Sequence, residues 1–295
     1  MESSAADAAH INSVAGLPQS HHGIAPQQRH ALRNFADTAL KSATGFWFLV
    51  FAVGQLMFLA YIVAFYGGAA LQGNLAEWNK VLAAGHVPGD SIGNFALAMH
   101  LFLAATITFG GLLQLVPQIR TKVPAIHRWN GRIYLLTGLI TSIAGLYMIW
   151  TRDGVVGDLV QHIGISLNAI LIILCSAIAL RYALARKFAT HRRWALRLIM
   201  LMSGVWFFRV GLFSWLIVNQ GPAGFDPKTF EGPFLSFLSF AQYLLPLAAL
   251  ELYLRVQDRG DASGRLVMAA CLSILTVAMG IGIFGATMGL WLPRI

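Results

Sequence analysis

Two segments of the chain are near-copies of one another. "PAIHRWNGR" (124–132) and "FATHRRWALR" (188–197) each place a small residue, then His-Arg, then Trp within three positions, at the head of a long apolar run. Two further histidines, His100 in "MHLF" and His162 in "QHIG", and an arginine in "VWFFRVGLF", Arg209, lie inside apolar runs. A neutral imidazole in such a place can ligate a metal or handle a proton. A guanidinium there costs at least about 3 kcal/mol unless it meets an anion, so Arg209 calls for a carboxylate, a phosphate or an anionic ligand.

The elements that carry these groups follow from composition. With 57% hydrophobic and only 11% charged residues over 295 positions, the chain has too little polar surface to cover a soluble globule. An all-α, polytopic membrane helix bundle is predicted, multi-pass in the inner (plasma) membrane of the cell. Runs long enough to cross about 30 Å of hydrocarbon occur at about 46–68, 93–116, 129–150, 159–181, 194–218, 234–254 and 266–291, which makes about seven transmembrane helices. Pro88-Gly89, Pro117, Pro124, Gly154, Gly221-Pro222, Pro227 and Gly260 punctuate the connections.

The formal charge of +9 sorts by side rather than pointing to nucleic acid. With the N-terminus in, sixteen lysines and arginines, among them Arg120, Arg128, Arg186, Arg193 and Arg265, fall on the cytoplasmic side; Lys80, Arg152, Lys228 and Arg294 fall outside, and Arg209 within a span. That bias predicts the N-terminus in and the C-terminus out. The chain then divides into a disordered cytoplasmic tail (1–43), the first span and an external loop with a short helix near 75–84 (44–92), a core four-helix unit bearing the histidine pairs (93–218), and two C-terminal spans (219–295). Within the tail, 27–40 has the pattern of a short amphipathic helix on the membrane surface. Four histidines in this tail read as solvated, and Cys175 and Cys271 as small core residues without a partner.

In this topology His100 and His162 share the outer level, and His127 and His191 the inner one. The separations, 27 and 29 residues, describe one helix-hairpin unit used twice. For the inner pair the competing reading is an interface anchor, with arginine toward lipid phosphates and Trp129 or Trp194 at headgroup level. Arg209 would reach Asp158 across a water-filled cleft, or an anionic ligand such as a haem propionate. Gln114, Gln161, Ser166, Asn168 and Gln242 either line that cavity or bond between helices. Glu251, in "ALELYLR", is placed to pair with Arg255 at i+4. Pro246 should kink the sixth span. The glycines of "GIGIFGATMG" and Gly110-Gly111 offer close helix approach. No nucleotide loop, nucleophile elbow, HExxH or CxxC occurs.

The arrangement resembles that of transmembrane di-haem b-type cytochromes such as the ascorbate- and ferric-reducing ones. That resemblance implies haem b held by His100 and His162, a second haem on His127 and His191, and the second span pairing with the fourth and the third with the fifth. In sequence, "MHLFLAATITFGGLLQLVPQIRTKVPAIHRWNGRIYLLTGLITSIAGLYM" with "THRRWALRLIMLMSGVWFFR" resembles the bacterial membrane-protein family called domain of unknown function 2306, over about residues 93–218. The markers are His100, His127-Arg128, Gly131-Arg132, His162, His191-Arg192-Arg193-Trp194 and Arg209. This second resemblance implies the architecture and the importance of those positions, and no activity. Two functions remain open: transmembrane electron transfer by haem, with a quinone or small reductant as partner, and a non-redox carrier or sensor in which Arg209 binds a small anion in an outward-facing pocket.

Overall fold

The computed structural model describes residues 26–82, 84–151 and 157–295, and among these the secondary structure is helical throughout, apart from one isolated bridge between Asp226 and Glu231. The helices, in chain order, are α1 (Pro26–Tyr61), α2 (Gly68–Leu71), α3 (Ser91–Leu115), α4 (Pro117–Lys122), α5 (Pro124–Thr151), α6 (Leu159–Leu184), α7 (Phe188–Met202), α8 (Gly204–Asn219), α9 (Pro233–Arg259) and α10 (Ala262–Ala286). Six stretches are long and apolar enough to cross a membrane, and α7 with α8 makes a seventh if the bent pair is one span. Large apolar side chains such as Phe102, Leu136, Val218 and Ile274 are exposed on the outside of the bundle, as expected of helices whose solvent is lipid.

Three sequence expectations are corrected. The disordered tail does not reach residue 43: α1 begins at Pro26, and the amphipathic stretch continues into the first span rather than lying on the surface. Ala36, Leu40 and Ala43 are buried, the last two against Met268, Ala269 and Leu272 of α10, so tertiary packing carries the helix outward. The remainder of the tail, 1–25, lies outside the described residues. The loop helix expected near 75–84 is a short 3-10 helix at Leu75–Lys80.

The third correction concerns the fifth span, which is not one straight helix. It breaks at Ser203, where α7 and α8 meet at 52°. The Ser203-Gly204 pair is a known kind of kink site. Inside a bilayer, backbone groups at a break need new partners, and here the Nδ2 of Asn168 on α6 donates to the carbonyl of Leu201 at 3.3 Å. Gly204 is required by that approach, since a Cβ there would lie 2.9 Å from Asn168 Nδ2.

Helix neighbours follow the chain more than the histidines. α3 packs on α5, α5 on α6, α6 on α7, while α10 closes the bundle against α1 and α8. α5 packs against both α3 and α6, which do not pack extensively on each other, so the expected pairing of the second span with the fourth is not the one observed. α9 continues as one helix through Pro246.

Candidate functional site

The twin His-Arg-Trp segments form packing junctions. In the first, Asn130 Nδ2 donates to the carbonyl of Gly110 at 2.8 Å, and Gln114 Nε2 donates to the carbonyl of His127 at 2.9 Å, which clamps α3 to α5. In the second, His191 Nδ1 lies 2.9 Å from the carbonyl of Ala179 on α6. Arg197 makes a two-point ion pair with Glu251 of α9, at 2.6 and 3.0 Å, and Arg193 meets Asp258 at 2.5 Å. Glu251 is thus held across helices by Arg197 and not by its i+4 neighbour Arg255. In both segments an arginine three residues past the tryptophan lies over its ring: Arg132 at 4.8 Å from Trp129, and Arg197 at 4.7 Å from Trp194. His127 and His191 come within electrostatic range of each other, with Arg120 and Arg128 also near His127. His127 Nδ1 is buried without a partner.

The two histidines of the outer pair have different surroundings. His162 Nε2 is buried without a partner, and its ring stands edge-on to Trp150 with centroids 6.1 Å apart. His100 instead faces a cavity of about 140 Å³ at the centre of the bundle, and His162 is not among the residues that line it. The walls come from five spans: Phe51, Gln55 and Phe58 on α1, His100 and Thr108 on α3, Thr141, Ser142 and Gly145 on α5, Ser166 and Asn168 on α6, and Ser203 and Trp206 at the α7–α8 break. Glycine makes room at two points. A Cβ on Gly54 would meet the Trp206 ring at 2.7 Å, and the Trp206 indole donates to the Gly54 carbonyl at 3.1 Å. Gly145 faces His100, whose Cε1 would lie 3.6 Å from an added Cβ.

Some of the polar lining is satisfied internally. Thr108 Oγ1 donates to the carbonyl of Ala104, and Ser166 Oγ accepts from the Trp150 indole at 2.9 Å. Four lining atoms are not: Gln55 Nε2, His100 Nδ1, Thr141 Oγ1 and Asn168 Oδ1 are buried with no hydrogen-bond partner. Each such atom in apolar surroundings costs about 1–3 kcal/mol. Their number at one cavity is the feature that sequence reading did not find. Of the lining residues the sequence marks His100 as a ligand and Ser166 and Asn168 as polar groups, while Gln55 and Thr141 carry no signal apart from polarity inside an apolar run.

Arg209 does not line this cavity. Its guanidinium lies over Phe58, 5.2 Å from the ring centre, while Phe58 lines the cavity; Nη1 donates to the carbonyl of Val205 in its own helix at 3.3 Å. No carboxylate pairs with it among the described residues. The expected reach to Asp158 is replaced by a different role. Asp158 caps α6 by accepting from the Gln161 backbone at 2.8 Å, and it accepts from the Ser236 hydroxyl at 2.7 Å. These bonds, the Ser236 one foremost, hold its carboxyl below the usual aspartate range. Gln161, Gln114 and Gln242 bond to backbone carbonyls and stay out of the cavity: Gln114 bonds between α3 and α5, Gln161 ties α6 to the connection between α8 and α9, and Gln242 bonds within its own helix. No group of three or more His, Cys, Asp and Glu able to hold a metal ion occurs among the described residues.

A helical membrane protein with a ring-sized, polar-edged cavity at a broken span is the class that this fold and site define. Residues 97–225, from within α3 to just past α8, match the model of the family DUF2306, described as predicted membrane protein, so the family read from the sequence holds over the stretch that supplies four of the five cavity walls. No curated protein and no solved structure matches the chain.

Proposed function

We propose that the protein is a non-redox binding protein, a sensor or carrier, for a lipid-soluble ligand with a single ring and oxygen at its edges, the chemistry of a quinone or quinol head group. The four partnerless polar atoms around one apolar cavity carry this reading. Gln55 Nε2 offers a donor, Asn168 Oδ1 an acceptor, and Thr141 Oγ1 and His100 Nδ1 serve as either. A ring with carbonyl or hydroxyl oxygens answers that set, and a position within the bundle suits a ligand that partitions into the bilayer. The size agrees: a cavity of about 150 Å³ accepts a benzene ring, close to the 140 Å³ found.

The haem-b reading has less support. A bis-histidine haem needs two imidazoles facing across one macrocycle. Here His100 and His162 stand on helices that do not pack extensively on each other, only His100 reaches the cavity, and one ring's space is small for a macrocycle of four pyrroles.

The test is tryptophan fluorescence of the purified protein titrated with duroquinone. Trp206, in the cavity wall and buried, is the reporter. Saturable quenching is expected, weakened about tenfold in His100→Ala, which is the loss of about 1.4 kcal/mol for one hydrogen bond to an imidazole. In Gly145→Leu, whose side chain fills the cavity, saturation should vanish. Quenching that only follows partition into detergent, identical in all three proteins, would refute the proposal. A visible haem band lost in His100→Ala and His162→Ala would replace it with the redox reading.

A further inference from the structure

Around Phe58, among residues that do not line the cavity, hydrogen-bond donors occur with no carboxylate paired to the arginines among the described residues. Arg209 on α8 and Arg294 near the C-terminus are both partly buried, and both charges reach Tyr61 on α1, which is fully buried. Each arginine donates to the carbonyl four residues back in its own segment, Val205 at 3.3 Å and Leu290 at 3.0 Å. Tyr61 donates to the Tyr66 hydroxyl at 3.2 Å, and the Trp78 indole donates to the Tyr66 carbonyl at 3.1 Å. The acid on that same 3-10 helix, Glu77, is taken up by Lys80 at 2.5 Å. Among the described residues neither Arg209 nor Arg294 has a carboxylate partner.

An independent observation points to the same place. Trp291 is fully buried, its ring 5.5 Å from Phe58, the ring over which Arg209 lies, and its Nε1–H has no partner. Two π-helical segments build this region, Ile62–Gly67 carrying Tyr66 and Thr287–Trp291 ending on Trp291. Such segments cost backbone stability and gather at functional sites. Two guanidinium groups without a carboxylate partner and an unpartnered indole N–H, all near Phe58 or Tyr61, are donors that an oxyanion complements.

We propose that Arg209 and Arg294, with the Nε1–H of Trp291, bind an oxyanion of the phosphate class, at a site separated from the central cavity by Phe58. The anion can come from free phosphate or from the headgroup of an acidic phospholipid, and the experiment separates the two. Thermal unfolding of the full chain is followed in an uncharged detergent with inorganic phosphate, and in nanodiscs of phosphatidylcholine with or without phosphatidylglycerol. Stabilisation that saturates with phosphate identifies a free anion; stabilisation by phosphatidylglycerol alone identifies a lipid. In either arm, half-saturation should rise at least tenfold in Arg209→Gln and severalfold in Arg294→Gln. Trp291→Phe, which removes the N–H and keeps the aromatic packing, should weaken binding about threefold and leave the ligand-free melting temperature within a degree or two. No stabilisation in either arm, or stabilisation unchanged in Arg209→Gln and Arg294→Gln, would overturn the site. Should Arg209→Gln fail to fold, Arg294→Gln and Trp291→Phe decide alone. Duroquinone quenching should be unaffected by Arg294→Gln, so failure here leaves the cavity reading standing.

Discussion

The basic end of the bundle, His127 Nδ1 apart, and its centre treat polar side chains in opposite ways. At the basic end, Arg197 meets Glu251, Arg193 meets Asp258 and Arg265 meets Asp37, and Asn130, Gln114 and His191 bond to carbonyls of neighbouring helices. At the centre, Gln55, His100, Thr141 and Asn168 each keep a buried atom without a partner around one cavity. The first pattern lowers the energy of the folded chain. The second raises it, since buried polar groups cost free energy unless bonded, and it is intelligible where a ligand supplies the missing bonds. On the proposed reading, the twin His-Arg-Trp segments serve assembly and the His100 wall serves recognition.

The comparison is broken most forcefully at Arg197. Arg197→Ala should cost about 2 kcal/mol, below the figure for a fully buried pair because both partners keep some exposure, and thermal unfolding in detergent would show it. Duroquinone quenching should be unchanged after refolding to the same fluorescence. Arg197→Met with Glu251→Leu should recover most of the loss, since neither charge is then left alone.

A subtler break lies in the cavity. Thr141→Val removes one partnerless hydroxyl and keeps the side-chain shape, so the ligand-free protein should gain about 0.5–1 kcal/mol in stability while binding of duroquinone weakens. Loss of stability in this variant would mean that Thr141 belongs with the paired groups.

The smallest effect concerns Asp158, the cap of α6. Asp158→Ala should cost about 1 kcal/mol at neutral pH. Because the folded-state carboxyl titrates below its unfolded value, its stabilisation is present above about pH 4 and is lost as pH falls through the lowered folded-state value. The wild-type and Asp158→Ala melting curves should therefore converge in acid. Curves that stay parallel down to pH 2 would remove the carboxylate from the account.

Much of the architecture was legible in the residues, because a bilayer imposes length and apolarity on anything that crosses it. Six of the expected spans appear near their places, and the bent α7–α8 pair stands where the seventh is expected. The Ser203-Gly204 break had a signal in the sequence, a known kink pair, but an uninterrupted apolar run concealed it. The partner of Glu251 was misread because Arg255 at i+4 is visible in one dimension and Arg197, fifty-four positions away, is not. Over Ala36–Ala43, α1 is helical and buried where α10 packs against Leu40 and Ala43, a tertiary cause that tail composition cannot show. His100 stands out as an ionisable group in oil; that α5 packs against both α3 and α6, and that only His100 of the outer pair lines the cavity, are tertiary facts, and the π-helical segments around Tyr66 and Trp291 have no sequence mark at all.

The most direct measurement is photocrosslinking with an azido-benzoquinone in native membranes, with adducts located by mass spectrometry. Adducts on peptides that contain His100, Thr141–Gly145 or Ser203–Trp206, displaced by duroquinone and absent in Gly145→Leu, are predicted. Adducts confined to lipid-facing side chains such as Phe102, Leu136 and Ile274, and undiminished by duroquinone, would contradict a binding site at the centre of the bundle.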